Sequence, residues 1–162
     1  MQKNPDTNRP VPKLTLRPLT ASEIPLIAEC LQKLADHHNR INPLPEIEYP
    51  VYSIPVAVEK YTSEAAAGKT PVCSAWIGET LAGFCAISVE DWNGNIDYLY
   101  LAPESRGYGA GKRLIQWALD EFKKQNLRFA HLKVVIGNDD SIAVYEHCGF
   151  KPRALCMVKT LE

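Results

Sequence analysis

Residues 95–112 read Asn-Ile-Asp-Tyr-Leu-Tyr-Leu-Ala-Pro-Glu-Ser-Arg-Gly-Tyr-Gly-Ala-Gly-Lys, and they restrict the fold more than any other stretch of the chain. An apolar and aromatic run enters a proline and then three glycines in five residues. An amphipathic helical pattern over residues 109–125 follows at once. A strand delivered into a Gly-rich turn that opens a helix is an arrangement that holds phosphate. Glycines let the backbone come close, and the free N–H groups at the helix start point at an anion. A plain tight strand–helix turn uses the same glycines, so the rest of the sequence has to separate the two readings.

Two familiar phosphate loops fail on spacing. A dinucleotide fingerprint begun at Gly107 and Gly109 needs a third glycine at 112, where Lys112 stands. A nucleotide P-loop ending in Gly111-Lys112 needs Gly at 106 and Ser or Thr at 113, and the chain has Arg106 and Arg113. What remains is Arg106-Gly107-Tyr108-Gly109-Ala110-Gly111 followed by Lys112-Arg113. An anion nest, a helix N-terminus and three cations suit a pyrophosphate.

Around this stretch the pattern predicts a mixed sheet flanked by helices, an α/β fold. Residues 13–17 alternate, with Leu14 and Leu16 inward, as a first strand. Thr20 and Glu23 have capping-box spacing, and Ile24, Ile27, Ala28, Leu31, Leu34 and Ala35 recur at helical spacing up to about His37. Pro25 costs that helix little if it begins at Ser22. Residues 39–53 carry three prolines and no period; a loop this long in a compact domain is often a lid or substrate wall. A second helix is predicted over 53–67 and stops at Gly68. Residues 72–77, 81–89 and 95–101 read as an antiparallel meander turning at 78–80 and 91–94. The helix over 109–125 buries Leu114, Ile115, Ala118, Leu119 and Phe122. A strand over 131–136, a short helix over 141–148 and a final strand over 155–161 complete the chain. Strand–helix–strand around the glycines implies one parallel pair beside the meander. The expected organisation is a loose leader over 1–12 and a single domain over 13–162.

Net charge is −1 over 162 residues, so no global basic field draws the chain to nucleic acid or to an anionic membrane. Five cysteines, odd in number and without a C-x-x-C, read as reduced thiols of a cytoplasmic protein. No apolar run reaches the length of a membrane span. No H-E-x-x-H or Cys/His cluster points to a metal, and the adjacent His37 and His38 project about 100° apart on a helix.

Arg106, Gly109 and Gly111 match the Gln/Arg-x-x-Gly-x-Gly/Ala signature of the GCN5-related N-acetyltransferase (GNAT) family. A second signature of that family is matched in order and spacing by Asn138, Ala143, Val144-Tyr145 and Gly149-Phe150. The chain resembles the family from about Leu14 to Leu161, in the order β-α-α-β-β-β-α-β-α-β. The resemblance implies acetyl-CoA as cosubstrate, bound where the fourth and fifth strands splay apart. It implies that the backbone of Leu99, Tyr100 and Leu101 pairs with the pantetheine arm. Arg106, Gly107, Tyr108, Gly109, Ala110, Gly111 and Lys112 would then hold the pyrophosphate, with Asn138 and Ser141 on the far side. Tyr145 corresponds to the family's general acid, beside the CoA sulfur. The base is expected on the fourth strand, where Asn95 has no basic group and Asp97 is either the base or a loop anchor. Glu90 and Asp91 are candidates to attract a cationic amine, and Trp92 to touch it. The implied reaction is direct attack of a small-molecule or peptide amine on the thioester; the competing reading is a non-catalytic acyl-CoA-binding module. Only one strand's length follows Phe150, so one wall of the acceptor pocket is expected to be open or completed in a homodimer.

Overall fold

A computed structural model describes residues 13–50 and 53–161; the leader expected over 1–12 lies outside them. Its centre is a five-stranded sheet in the order β1-β2-β3-β4-β5, made of β1 (Leu14–Pro18), β2 (Val72–Ile77), β3 (Thr80–Glu90), β4 (Asn93–Leu101) and β5 (Phe129–Leu132). The first four strands pair antiparallel and β4–β5 is parallel, as the connection through a helix requires.

Both faces of the sheet are covered. On one face lie α1 (Ala28–Ile41) and α2 (Ile54–Ala66), which enclose Ile24, Ile27, Leu31, Tyr61, Val72, Phe84, Ala86 and Tyr100. On the other lie α3 (Ala110–Lys124) and α4 (Asp139–His147), over Cys73, Ala75, Cys85, Ile87 and Ile96. This double cover explains why β2 and β3 read as near-continuous apolar runs. The stripe Leu114, Ile115, Ala118 and Phe122 seats α3 on the sheet, and Leu114 and Ile115 are completely buried. Each of those two side chains contributes about 1.5–3 kcal/mol by leaving water.

Three boundaries differ from the sequence expectation. Pro25 falls in a 3-10 turn, Ile24–Ile27, and α1 begins only at Ala28 and runs on to Ile41. Proline lacks the N–H that a continuous α-helix needs there, so the tighter turn absorbs it. Only the reach-back half of the capping box forms: Glu23 Oε2 accepts the Thr20 N–H at 3.0 Å and the Thr20 hydroxyl at 2.9 Å. The fifth strand occupies Phe129–Leu132 instead of 131–136, because it is a strand only while it runs beside β4. The final strand expected over 155–161 does not form. Those residues carry no regular structure, and Leu155, Met157, Val158 and Leu161 are exposed. Strand preference is conditional on a partner ladder, and the four-residue β5 offers little edge.

Strand β4 has an irregularity that sets up everything below. Tyr98 pairs with Ala86 and Ile96 with Ile87, which leaves Asp97 with no cross-strand partner. Asp97 is the extra residue of a β-bulge. Side chains of Ile96, Leu99 and Leu101 therefore all reach the α3 face, while Tyr98 and Tyr100 reach the α1/α2 face.

Candidate active site

Strands β4 and β5 pair from Asn93↔Phe129 to Ile96↔Leu132 and then part. From Asp97 onward the outer edge of β4 has no strand beside it among the described residues. The Ala102 N–H donates to Ala82 O across the β3–β4 ladder at 2.8 Å. Strand alternation then turns the peptide groups of Tyr98 and Tyr100 toward β3 and those of Leu99 and Leu101 toward the gap. The Leu101 carbonyl accepts a bond from Arg106 Nε at 3.1 Å, as its outward direction allows. Leu99 and the Leu101 N–H thus present an open edge, while the Leu101 carbonyl is held by Arg106. Tyr100, by contrast, sends its backbone to β3 and its ring into the core, where burial raises its phenol above the ordinary range.

The strand leaves through a short 3-10 turn, Pro103–Ser105, and Arg106 into the glycines. Gly107 and Gly109 have φ of 85° and 78°, a left-handed conformation that glycine adopts without strain, and a Cβ on either would meet nothing within 4 Å. Gly109 is the N-cap of α3, and no side chain caps the helix. The first bond of the helix is Arg113 N–H to Gly109 O at 3.1 Å. Among the described residues, the backbone N–H groups of residues 107–112 find no acceptor. Six consecutive free amides next to Arg106 and Lys112 form an anion nest. A cleft of about 180 Å³ continues from Lys112 between α3 and α4, lined also by Ile115, Leu119, His147 and Cys148. The larger cleft, about 400 Å³, lies between β1 and the far flank of α3; Arg113, the third cation of the sequence reading, lines it and donates to the Leu14 carbonyl at 3.1 Å, away from the glycines.

Helix α4 forms the other wall of the cleft beside α3. Tyr145 packs against the α3-side cluster, as Leu99 and Leu101 of β4 and Leu132 of β5 do. Phe150 braces its ring edge-on at 5.9 Å. Burial, and then the neighbouring Cys85 and Cys148 thiols, raise the Tyr145 phenol above its ordinary range. It keeps its proton at neutral pH, and its hydroxyl makes no hydrogen bond among the described residues. Such a group is suited to give a proton, not to take one. Asn138 is the N-cap of α4 without a cap bond, and among the described residues neither its side chain nor that of Ser141 has a hydrogen-bond partner.

Asp97 sits at the fork on the opposite face. Its Oδ2 accepts the Tyr61 hydroxyl at 2.7 Å and Lys60 Nζ at 3.2 Å, and its Oδ1 accepts the Ser88 hydroxyl at 2.8 Å. Burial first, and then the Asp97 charge, raise the Tyr61 phenol, which therefore remains a donor. The end of α1 closes this side. His37 lies near Arg106, and burial lowers the proton affinity of both His37 and His38. His38 packs edge-on against Tyr49 at 5.2 Å. Asn39 holds the loop after α1 by pairing both polar atoms with the Tyr49 backbone, and Asn42 does the same to Leu44. These two anchors were not singled out from sequence, although Asn at a helix end followed by prolines is a signal for them. Trp92, 75% exposed, is in the β3–β4 turn at the paired end of β4, away from the fork.

A family model described as acetyltransferase (GNAT) family matches residues 31–150. The chain belongs to the GNAT family. Solved structures agree on the fold. A predicted acetyltransferase from Clostridium acetobutylicum with acetyl-CoA superposes with a TM-score of 0.71 at 17% identity, covering 91% of this chain and 96% of that one. The PaiA N-acetyltransferase from Thermoplasma acidophilum in complex with coenzyme A gives 0.64 at 21% identity, over 86% and 90%. Glucosamine-6-phosphate N-acetyltransferase from Arabidopsis thaliana gives 0.63 at 16% identity, over 93% and 99%. No curated protein matches the chain. GNAT membership supports acetyl transfer as the general activity and acetyl-CoA as the cosubstrate. Among the described residues, no group of three His, Cys, Asp or Glu is arranged to hold a metal, and no helix is long and apolar enough to cross a membrane.

Proposed function

We propose that this GNAT protein transfers an acetyl group from acetyl-CoA to a primary amine of a small molecule or peptide, by direct attack in a ternary complex. The observation that carries the reading is the fork, where an open β4 edge, a nest of six free amides and a protonated tyrosine converge. The pantetheine amides need partners, and Leu99 and Leu101 offer a strand edge for them. The pyrophosphate takes the amides of residues 107–112, with Arg106 and Lys112 beside it. Asn138 and Ser141 face it from α4. The thioester sulfur lies at Tyr145, which protonates the leaving thiolate. Asp97, with its oxygens committed to three donors, fixes the bulge that aims the edge. The acceptor enters from the α1/α2 face, beneath the loop that Asn39 and Asn42 anchor.

The exposed apolar tail (Leu155, Met157, Val158, Leu161) and the free edge of β5 favour a homodimer that covers both. Five free thiols fit the reducing cytoplasm as its place of action. Light scattering that gives a clean monomer across micromolar concentrations refutes the dimer.

A second reading, an acyl-CoA-binding module without turnover, is favoured by the absence of an uncommitted base on β4. Tyr145→Phe separates the two. Acetyl-CoA binding is followed by calorimetry, and CoA thiol release is followed with spermidine, kanamycin, free amino acids and an N-terminal peptide. An enzyme loses about 100-fold or more in kcat on losing its general acid while acetyl-CoA affinity holds. Wild-type binding with no thiol release from any amine supports the module.

A further inference from the structure

The acid end of the reaction has a residue, but the proton-accepting end does not, because Asp97 is occupied. The candidate lies on the other arm of the fork. Ala130 and Leu132 of β5 pack into the α3-side cluster, so the alternate residues Phe129 and His131 face the other way. Their rings stack at 6.2 Å and 12° on that face, the one from which Asp97 meets Tyr61. In register, His131 is opposite Asn95, and the next pair, Ile96↔Leu132, is the last before the strands part. His131 therefore stands one residue below the fork. Asp97 is two residues along β4 from Asn95. With strands ~4.8 Å apart and ~3.3 Å per residue, the backbones of His131 and Asp97 are about 8 Å apart on one face. One amine at the fork is in reach of both, directly or through one water.

The two groups differ in what they have left to offer. All three bonds from Tyr61, Lys60 and Ser88 converge on the Asp97 carboxylate. Among the described residues nothing bonds to the His131 ring nitrogens, and the side chain is half-buried. Among the described residues, charged groups on this face include Asp97 on β4, with its partner Lys60 from α2, Glu90 further out on β3, and Arg128, whose guanidinium lies over the Phe129 ring.

We propose that His131 is the proton acceptor for the amine; the inference rests on the acetyltransferase reading above. An ammonium at the fork gives one N–H proton to an imidazole nitrogen of His131. The freed lone pair attacks the thioester carbonyl carbon, and a C–N bond forms. The tetrahedral intermediate collapses, the C–S bond breaks with its electron pair on sulfur, and the thiolate takes the Tyr145 hydroxyl proton. The nitrogen loses its second proton to water, water returns one to the Tyr145 phenolate, and the imidazolium releases the other to solvent. The sum is ammonium plus thioester giving amide, thiol and one proton.

His131→Gln keeps a polar side chain of similar reach that takes no proton. It is expected to lower kcat/KM at pH 7 about 100-fold with whichever amine of the panel the wild type turns over. Acetyl-CoA affinity should stay within twofold. The deficit should shrink as pH rises toward the amine's own ionisation, where the acceptor arrives already neutral; a merely structural role gives no such rescue. Proton NMR supplies a readout that needs no acceptor. The chain has four histidines, so the ring signal that His131→Gln removes is assigned at once. That signal should shift when acetyl-CoA saturates the wild type. Turnover within threefold of wild type with an unchanged pH profile overturns the proposal, as does an unmoved His131 signal in a protein that binds acetyl-CoA. A wild type that binds no acetyl-CoA overturns the acetyltransferase reading itself.

Discussion

Gly109 offers the sharpest test of whether the turn before α3 is a ligand site or only a bend. It has φ 78° and ψ 5°, and a Cβ built on it meets no atom within 4 Å. Inside the protein, then, the only cost of a side chain is backbone strain. For alanine in the left-handed region that is about 1–2 kcal/mol, or a melting temperature lower by roughly 2–8 °C in a chain of this size. Asparagine tolerates the left-handed region, so Gly109→Asn should recover most of that loss. Ligand binding should not follow the same order. In the proposed function the pyrophosphate approaches the amides of residues 107–112 through the empty space over Gly109. A Cβ there costs amide bonds to an anion, each about 1.5–3 kcal/mol, which is a roughly 10- to 150-fold weaker Kd. The expectation is a near-normal melting temperature and a Kd for acetyl-CoA weakened at least tenfold in Gly109→Asn, measured by thermal denaturation and calorimetry. If asparagine restores both together, the loop needs only its backbone shape and the nest assignment fails.

Three further outcomes follow from other parts of the site. Tyr61→Phe removes a buried donor to a carboxylate and should destabilise the fold by about 1.5–3 kcal/mol, read from the urea midpoint; no change would mean that the bulge does not depend on that bond. Asn39→Ala frees the Tyr49 backbone and should raise KM for the amine several-fold while acetyl-CoA affinity stays, since the proposed acceptor path runs beneath the anchored loop; an equal effect on both ligands refutes that assignment. Stability should fall in alkali. Burial pushes the Cys73 thiol from its ordinary 9.0 up to about 12 and holds the Cys85 thiol well above its own, so the folded chain keeps protons that the unfolded chain releases. The sign follows: this stabilisation is complete below pH 9 and is lost as pH rises from 9 toward 12, at up to about 1.4 kcal/mol per pH unit per thiol. Cys73→Ala should make the urea midpoint fall less steeply between pH 9 and 10.5.

The elements that could be read from the sequence were those whose signal is local. The stripe Leu114, Ile115, Ala118 and Phe122 is a period that only a helix satisfies, and it appears as predicted. The glycines before it need conformations that other residues resist, so their turn was legible too. The limits of β5 and the missing last strand were not, because both depend on whether another strand lies alongside. Asp97 shows the same limit at the site. Its type and position suited either a base or an anchor, and the sequence had no means of choosing. Its partners Tyr61 and Lys60 are 36 and 37 positions away, on a helix whose sequence does not say which strand it covers. His131 was passed over for a similar reason. Its role depends on the register of a parallel pair and on where that pair ends.

One residue connects the fork with the face that each side chain serves. A strict alternation from Ile96 would send Tyr98 and Tyr100 toward α3 and Leu99 and Leu101 toward α1. The extra residue at Asp97 reverses that phase, so the leucines line the side on which α4 brings Tyr145, and the tyrosines fill the core under α1 and α2. A bulged strand also bends and twists more strongly at the bulge. The last β4–β5 pair involves Ile96, the residue immediately before it. The parting of the strands and the switch of faces therefore share a cause. That explains the weight of bonding at Asp97, where a hydroxyl from β3, a phenol and an ammonium from α2 hold a carboxylate on β4. The bulge would relax if its side chain were free, and with it would go the open edge at Leu99 and Leu101. On this account Asp97 serves the chemistry by shaping the gap, which leaves the proton itself to a group on the opposite arm.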